Sequence, residues 1–122
     1  MKMLLIDVKN ACVEEVDANG LDDYYRFIGC DCIDITVRKV AGMRLPIICD
    51  DEGFLKANPI RSAYYEEPDM LPLVGNLLIC GGMLEGKLLP LSDEQKERVQ
   101  NEIFATLELN TGMVRPMLRL QL

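Results

Sequence analysis

Two short runs rich in apolar residues stand at the start of the chain, and a segment with helical spacing follows. Residues 3–8 and Cys12–Val16 are two short apolar-rich runs that predict a pair of strands. In Leu21–Ile28 the apolar residues recur at intervals of three and four, which is the spacing of one helix face. Gly29 is placed to end this helix, because glycine readily adopts the left-handed conformation that closes a helix.

Residues 32–40 have the cleanest alternation in the chain. Ile33, Ile35 and Val37 point to one face of an extended segment, and the polar residues between them point to the other. A strand with one apolar face is typical of an antiparallel sheet that is buried on one side. We therefore expect these three side chains to lie on the buried side.

The middle of the chain predicts one more strand and then a long loop. Met43–Cys49 continues the extended pattern, and Pro46 within it favours a sheet edge or a bulge, because proline has no N–H to donate. Phe54-Leu55 predicts a further extended path. Residues 57–75 contain three prolines and little periodicity, so we expect a loop with at most one helical turn, near Ile60–Tyr65.

Residues 76–80 are an apolar-rich run that predicts a buried strand. Gly81 and Gly82 interrupt it, which indicates a bulge or the close approach of another backbone. Glu85-Gly86 is a turn signal, so Lys87–Leu91 is expected to complete a hairpin.

The last third of the chain predicts a second helix and an extended tail. Ser92–Gln95 has the pattern of a capping box, in which the serine and glutamine side chains each accept the other residue's backbone N–H. Apolar residues at helical spacing extend the predicted helix to about Leu107. In Thr111–Leu122 leucines alternate with polar residues, which predicts an extended arm that needs an apolar surface to cover.

Together these elements predict an α+β fold with a mainly antiparallel sheet of about 5–7 strands and two helices, the longer one near the C-terminus. Residues 1–110 have the length of a single α+β domain. Thr111–Leu122 forms a separate arm, which is either an added strand of the same sheet or an exchanged strand. In the second case the arm would join two subunits of a homo-oligomer.

The charge of the chain bears on its partners. The sequence has 13 basic and 20 acidic residues, a net charge of −7. Binding to a nucleic-acid backbone requires clustered Lys and Arg to displace counterions. The sequence has no such cluster, so we expect no direct binding of DNA or RNA. An acidic surface serves solubility, or fits a basic partner protein.

The cellular compartment follows from the apolar runs and the cysteines. Asp7 interrupts the N-terminal apolar run, which is too short for a secretory signal, and no run approaches the roughly 18 residues of a membrane span. We therefore expect a cytoplasmic protein with no membrane association. Its five cysteines would then be reduced thiols.

The chain lacks the residues that several kinds of catalysis require. The chain has no histidine, hence no imidazole base for a Ser-His-Asp or Cys-His site. It has neither glycine-rich phosphate-binding motif. Cys30-x-Cys32 is one close thiol pair where structural zinc commonly uses two, so we expect no metal and no other cofactor. The carboxylates of Asp50–Glu52 and Glu66–Asp69 keep a carboxylate-dependent hydrolase open.

The segment that begins at Asn58 carries the side chains best suited to a ligand. Pro59 stiffens the backbone, so that Asn58 and Arg61 are presented with little loss of entropy. Arg61 can hold a phosphate or carboxylate with two parallel N–H groups. Tyr64 and Tyr65 offer a stacking face and a hydroxyl. These residues predict a site for a small anionic or nucleotide-like ligand.

Structural roles for the same residues stay open. Arg61 can instead pair with Asp50 or Asp51 and fix the loop. Gly81 and Gly82 can bring backbone N–H groups close to the ligand, or they can form a bulge. These two glycines complete the predicted ligand-binding set.

Four segments of the chain carry a family resemblance: FIGCDCIDIT, PIICDDEGFLKANPIRSA, GNLLICG and LSDEQKERV. They resemble a family of short, uncharacterised domains from phages, plasmids and integrative elements of Gram-positive bacteria, over about residues 3–104. In that family an Asn and an Arg are adjacent after the acidic turn, whereas here Pro59-Ile60 separates Asn58 from Arg61. The resemblance implies an accessory protein of a mobile element and assigns no activity.

Three functions are therefore open. The first is a non-catalytic protein that sequesters a small anionic or nucleotide-like ligand, an anti-defence role that suits a mobile element. The second is an acidic inhibitor or adaptor that binds a basic host protein, mainly through residues 14–69. The third is a hydrolase that uses two converging carboxylates.

Overall fold

The computed structural model describes all residues from Met1 to Leu122 and contains two helices and eleven strands. The helices are α1 (Leu21–Ile28) and α2 (Asp93–Gln100), and a single 3-10 turn spans Gly53–Leu55. The strands are β1 (Lys2–Asp7), β2 (Cys12–Asp17), β3 (Ile33–Val40), β4 (Met43–Asp50), β5 (Arg61–Tyr65), β6 (Leu73–Val74), β7 (Leu77–Ile79), β8 (Gly82–Leu84), β9 (Lys87–Leu89), β10 (Ile103–Leu107) and β11 (Val114–Leu120).

The strands form three sheets. A five-stranded sheet has the order β2-β1-β7-β4-β3, a four-stranded sheet has the order β10-β11-β5-β6, and β8 and β9 form a hairpin. All strand pairs are antiparallel except β5 with β11. The α+β class and the mainly antiparallel pairing agree with the prediction. The strands are more numerous than predicted, however, and the helices have eight residues each, so the prediction of a longer C-terminal helix is wrong.

The five-stranded sheet is the middle layer of the molecule. Successive residues of a strand point to opposite faces, and β1 shows the two environments. Ile6 belongs to a buried cluster with Leu118 of β11 and Val99 of α2. Its neighbour Leu5 belongs to a second cluster with Ile28 of α1. The four-stranded sheet and α2 therefore cover one face, and α1 covers the other.

The cover that α1 provides stops short of β3. Ile33 packs against the cluster beneath α1, but Ile35 and Val37 are 40% and 43% exposed. The strand was predicted correctly, and the burial of these two side chains was not. The helix is too short to cover these side chains. A helix of eight residues is only about 12 Å long, and β3 is the outer strand of its sheet.

Pro46 lies in an interior strand and not at the predicted edge or bulge. It is paired with Val37 of β3 without a shift in register, while β7 lies on the other side of β4. Its carbonyl accepts the N–H of Cys80 at 3.0 Å, so its nitrogen also faces β7. Since β7 ends at Ile79, the missing N–H removes no bond from the sheet.

The second helix begins as predicted and ends earlier. The capping box between Ser92 and Gln95 is formed. The helix ends at Gln100, and Ile103–Leu107 is the strand β10. Residues 99, 103 and 107 fit helical spacing, but residues 103, 105 and 107 fit a strand equally well. Pairing with β11 selects the strand.

The long predicted loop contains two strands. Phe54 and Leu55 lie in the 3-10 turn and not in an extended segment. The expected helical turn near Ile60–Tyr65 is wrong, because this segment is β5, followed by the short strand β6. β5 is held by its parallel pairing with β11, which lies far away in the sequence and leaves no local signal.

The tail lies within the second sheet of its own chain. β11 pairs with β10 on one side and, over Leu118–Leu120, with β5 on the other. Leu118 and Leu120 are 0% and 3% exposed. Beyond the strand, Gln121 bridges to Lys39 at the end of β3. The apolar surface that the leucines of Thr111–Leu122 require is therefore the core of the same chain.

Candidate functional site

A cavity of about 210 Å³ lies where the loop after β4 meets the end of α1. Its lining includes Lys9 from the turn between β1 and β2, Asp50 from the end of β4, and Lys56 and Asn58 from the loop. The carboxyl end of α1 contributes Ile28. We call this the lysine cavity, because two lysines from distant parts of the sequence, Lys9 and Lys56, both line it.

Two residues with restricted backbone choices shape the loop that forms one wall. Gly53 is buried, and a Cβ atom at this position would lie 2.8 Å from the side chain of Val74. Asn58 has φ 55°, the left-handed conformation that asparagine tolerates better than most residues. Pro59 then fixes the next φ. Asn58 therefore lines the cavity and also makes the turn.

Lys56 is held by a well-shielded carboxylate. Its Nζ lies 2.8 Å from Oδ2 of Asp50, whose side chain is only 8% exposed. Oδ1 of Asp50 accepts the backbone N–H of Glu52 at 2.9 Å. The hydrogen bond to Asp50 raises the pKa of Lys56, so the ammonium stays charged at neutral pH. The ion pair uses one of the three N–H donors of Lys56.

Lys9 is placed at the carboxyl end of α1. Its Nζ lies 3.4 Å from the carbonyl oxygen of Ile28, the last residue of the helix. A cation is favourable there, because the terminal carbonyl groups carry partial negative charge. Gly29 ends the helix, as predicted, with φ 77°, and a Cβ atom on it would lie 2.5 Å from Lys9 Nζ.

The lining of this cavity carries a small excess of positive charge. Lys9 and Lys56 carry two positive charges, and Asp50 is the one carboxylate among the lining residues. The local balance is therefore +1 in a chain whose net charge is −7. Such a site favours an anion that accepts hydrogen bonds from both ammonium groups.

The residues around Asn58 that were predicted to share its site are placed differently. Arg61 is exposed at the first position of β5 and is not part of the lysine cavity. The structural alternative, an ion pair of Arg61 with Asp50 or Asp51, is not formed, and Asp50 pairs with Lys56 instead. The structure therefore brings Asn58 together with lysines and not with Arg61.

Tyr64 and Tyr65 point to opposite faces of β5, as neighbours in a strand do. The Tyr64 ring meets the Phe104 ring edge to face, with centroids 5.5 Å apart, and its Oη lies 3.4 Å from Nε of Arg119. Oη of Tyr65 accepts a hydrogen bond of 2.8 Å from Arg38. Neither tyrosine lines the lysine cavity.

Gly81 and Gly82 lie between β7 and the hairpin β8–β9. A Cβ atom on Gly81 would lie 2.0 Å from the carbonyl oxygen of Pro90, which is the close backbone approach that the sequence predicts as one of two options. The carbonyl of Gly81 accepts a hydrogen bond of 2.8 Å from Gln95, and Gly82 begins β8. Here the approaching backbone belongs to the same chain.

A second cavity, of about 380 Å³, has the opposite charge. Arg119 is its one basic residue, and the Nε of Arg119 lies 3.5 Å from Oε1 of Glu66. The polar and aromatic residues that line this acidic cavity are Tyr65, Glu66, Glu67, Glu102, Arg119 and Gln121. An anionic ligand would meet three carboxylates there, whereas a cationic group would be stabilised.

The two carboxylate clusters considered for catalysis lie at different places. Asp51 and Glu52 are exposed on the turn before Gly53, next to the lysine cavity, while Glu66 and Glu67 line the acidic cavity. The structure has no group of three or more Cys, Asp or Glu side chains arranged to hold a metal ion.

The two residues that define the lysine cavity were not among those predicted. Lys56 lies in the segment that carries the family resemblance, and its position two residues before Asn58 was an available signal. Lys9 has no local signal, because only the folded chain brings the turn after β1 beside the loop that follows β4.

Comparison with known proteins gives a family and no activity. No helix of the chain has the length and apolar character needed to cross a bilayer. No curated protein and no solved structure matches the chain. The family described as "Domain of unknown function (DUF3846)" matches residues 1–104, which include every element up to the start of β10 and all of the lysine cavity. The chain is therefore a member of the DUF3846 family of domains of unknown function.

Proposed function

We propose that this chain is a non-catalytic binding protein whose ligand is a small anion held in the lysine cavity. The main support is that Lys9 and Lys56 line one cavity with a single carboxylate, Asp50. Each ammonium group makes one hydrogen bond within the chain. Both therefore retain N–H donors for the oxygen atoms of a phosphate or carboxylate.

The ligand class is narrowed by the size of the cavity and by its neighbour Phe54. A volume of about 210 Å³ is below the range of sites that enclose a whole small molecule, but it accommodates one anionic group. Phe54 follows Gly53 directly, and its side chain is 54% exposed. Because exposed aromatic rings stack on nucleobases, a nucleotide-like ligand would place its phosphate between the lysines and its base on Phe54.

The biological role proposed here rests on the resemblance to proteins of phages and other mobile elements. We infer an accessory protein that acts in the host cytoplasm and sequesters a host signalling nucleotide, which is an anti-defence function. Sequestration requires affinity and no chemical step, and this agrees with a chain that has no histidine.

Isothermal titration calorimetry with inorganic phosphate and a panel of mono-, di- and cyclic nucleotides tests the proposal. Lys9→Gln is expected to weaken binding roughly ten- to hundredfold, because a charge-assisted hydrogen bond contributes about 1.5–3 kcal/mol. The double variant Asp50→Asn/Lys56→Gln removes the second ammonium without leaving a buried carboxylate unpaired. Lys87→Gln, an exposed lysine of β9, is the matched control and should bind normally.

The role of Phe54 is tested with the same ligands. Phe54→Ala should weaken the binding of a nucleotide and leave the binding of inorganic phosphate unchanged. Thermal unfolding of each variant establishes that it is folded. Failure of every anion in the panel to bind at concentrations up to about 1 mM would remove the proposal, and so would equal affinities of the unmodified chain and Lys9→Gln.

The acidic cavity supports a second candidate function, an acidic inhibitor or adaptor that binds a basic protein. Glu66, Glu67 and Glu102 outnumber Arg119 there, so the cavity suits a Lys or Arg side chain of a partner. The net charge of −7 adds long-range attraction to a basic surface.

A short peptide rich in Lys and Arg is the probe for this second function. Its affinity should fall as NaCl rises from about 50 to about 300 mM, because salt screens exposed charges. Glu66→Gln/Glu67→Gln should also weaken the affinity, whereas Asp51→Asn/Glu52→Gln, an exposed pair that does not line the acidic cavity, should not. Peptide binding that neither salt nor the first pair of substitutions changes would exclude this function.

A further inference from the structure

β10 is the outer strand of the four-stranded sheet, and its far edge has no partner strand. At its two ends, the carbonyl of Glu102 and the N–H of Glu108 bond to the tail segment that contains β11, at 2.9 and 2.8 Å. Alternate residues of a strand direct their N–H and C=O groups to opposite sides. The backbone groups of Ile103, Ala105 and Leu107 therefore point to the open edge.

This edge lacks the features that normally prevent a strand from pairing with another chain. Ile103–Leu107 contains no charged residue and no proline, and its pairing with β11 has no bulge. The other long outer strands are charged: β2 carries Glu14 and Glu15, and β3 carries Asp34 and Lys39. The remaining outer strands are short: β6 has two residues, and β8 and β9 of the hairpin have three each.

A groove lies between the start of β2 and the strands β10 and β11, next to the open edge. It has a volume of about 270 Å³, and seven of its nine lining residues are apolar, among them Val13 of β2 and Ile103 and Ala105 of β10. On β10 itself, Phe104 and Leu107 are 40% and 57% exposed. An extended apolar segment would therefore gain both backbone hydrogen bonds and apolar contacts.

A second copy of the same chain fits this edge because β10 is self-complementary. An antiparallel pairing with Ala105 on the two-fold axis places Ile103 opposite Leu107 of the second copy, and Phe104 opposite Thr106. The last two form a non-hydrogen-bonded pair, in which side chains approach most closely. Oγ1 of Thr106 is already shielded from solvent and has no hydrogen-bond partner, and the Phe104 ring of the second copy would cover the same face.

The charges that flank the strand are compatible with this pairing. Glu102 of one copy would lie opposite Glu108 of the other. Glu108 is already paired with Arg115, at 2.6 Å, and Glu102 lies across from Arg119 in the β10–β11 register. The repulsion between the two carboxylates is therefore offset within each copy.

We propose that two copies of this chain associate through β10, so that their four-stranded sheets join into one continuous sheet. The interface is the strand next to the tail and not Thr111–Leu122 itself, because β11 already pairs with β10 over Val114–Leu118 and with β5 over Leu118–Leu120. This proposal is independent of the ligand of the lysine cavity.

Light scattering coupled to size-exclusion chromatography tests the proposal on the full chain. The unmodified protein should have twice the mass of the 13.8 kDa chain. Ala105→Pro should give the single-chain mass, because proline removes an N–H that faces only the open edge. Leu107→Lys should do the same by placing a charge at the edge. Val37→Lys is the matched control, because Val37 is 43% exposed on the outer strand β3. This variant should keep the mass of two chains.

Hydrogen exchange locates the interface. The amides of Ile103, Ala105 and Leu107 should exchange more slowly as the protein concentration rises, while those of β3 should not respond. A single-chain mass for the unmodified protein at all concentrations up to about 1 mM would overturn the proposal. The proposal would also be overturned if both β10 variants kept the mass of two chains while their circular-dichroism spectra showed that they are folded.

Discussion

At the scale of single residues, two buried polar side chains hold the turn that presents Lys9. Oδ1 and Oδ2 of Asp7 accept the backbone and side-chain N–H groups of Asn10, at 3.0 and 2.8 Å. Asn76 accepts the N–H of Val8 and donates to the carbonyl of Phe27 in α1, both at 3.0 Å. Lys9 therefore lies between two backbone positions that buried side chains fix, and its ammonium group is directed to the end of α1.

Asp7→Asn is expected to destabilise the protein in a way that depends on pH. Burial opposes the charge of Asp7, but the hydrogen bonds from Asn10 and Asn76 outweigh it and lower the pKa. The charged form therefore stabilises the fold above the unfolded-state pKa of about 3.9, and this contribution is lost as the pH falls through the lower pKa of the folded state. Asp7→Asn should cost about 1–2 kcal/mol at pH 7.

Urea unfolding of both proteins at neutral and at acidic pH measures this difference. The difference in the free energy of unfolding should be largest at pH 7 and should shrink at a pH of about 3 and below. A difference that stays constant over this range would mean that the charge of Asp7 contributes nothing.

At the scale of elements, one junction connects β7, the hairpin β8–β9 and α2. The N–H of Gly81 donates to the carbonyl of Leu89 at 3.0 Å. The side-chain amide of Gln95 donates to the carbonyl of Gly81 at 2.8 Å and accepts the N–H of Ser92 at 2.9 Å. The capping glutamine of α2 therefore also fixes the start of the hairpin, so one side chain joins three elements.

Gly81→Ala and Gly86→Ala separate steric crowding from backbone strain. A methyl group on Gly81 would lie 2.0 Å from a backbone oxygen, whereas Gly86 has φ 76° and no atom within 4 Å of its added Cβ. Gly81→Ala should therefore cost about 3 kcal/mol or more, because the hairpin must shift. Gly86→Ala should cost only about 1–2 kcal/mol, the strain of a left-handed alanine.

Chemical unfolding of the two variants compares the costs directly. Equal destabilisation would show that the junction at Gly81 adapts easily and does not fix the hairpin.

Elements with local signals were predictable, and elements that depend on distant partners were not. Leu21–Ile28 was correct to the residue because its apolar spacing and Gly29 act locally. The capping box fixed the start of α2 equally well, but its end was missed because Leu107 suits either a helix or a strand. Arg61–Tyr65 pairs with the distant strand β11 and with the two-residue strand β6, and neither pairing leaves a periodic pattern in the sequence around it.

At the scale of the whole molecule, β11 is the strand that unites the second sheet. It separates β10 from β5, and its leucines fill the space against the five-stranded sheet. The two faces of the middle sheet therefore depend on different parts of the sequence: α1 covers one from residues near the N-terminus, and β11 covers the other from the tail.

A chain that ends at residue 110 is expected not to reach the native fold. Its loss of β11 would expose the apolar face of the five-stranded sheet and leave β5 and β10 without a shared neighbour. Deletion of Leu122 alone, which is 68% exposed, is the control and should have little effect. Circular dichroism and urea unfolding distinguish the outcomes. A cooperative transition of the shortened chain with unchanged stability would instead identify residues 111–122 as a separate arm.

The candidate site was predictable only in part. Asn58 was identified from its place in a proline-containing loop, and it does line the lysine cavity. The basic residues that lie beside Asn58 differ from the one expected: the sequence suggested Arg61, whereas Lys9 and Lys56 line the cavity with Asn58. A short strand directs neighbouring side chains to opposite faces, so Arg61, Tyr64 and Tyr65 could not converge once their segment became β5.

The parallel pairing of β5 with β11 also sets the order in which the molecule can assemble during synthesis. Residues 61–65 emerge early but can pair only with the two-residue strand β6 until Leu118–Leu120 are made. The β1–β2 hairpin and α1 rest on local contacts, which form rapidly, whereas contacts between distant residues delay folding. The face of the middle sheet that Leu118 and Leu120 cover is therefore the last part of the core to close during synthesis.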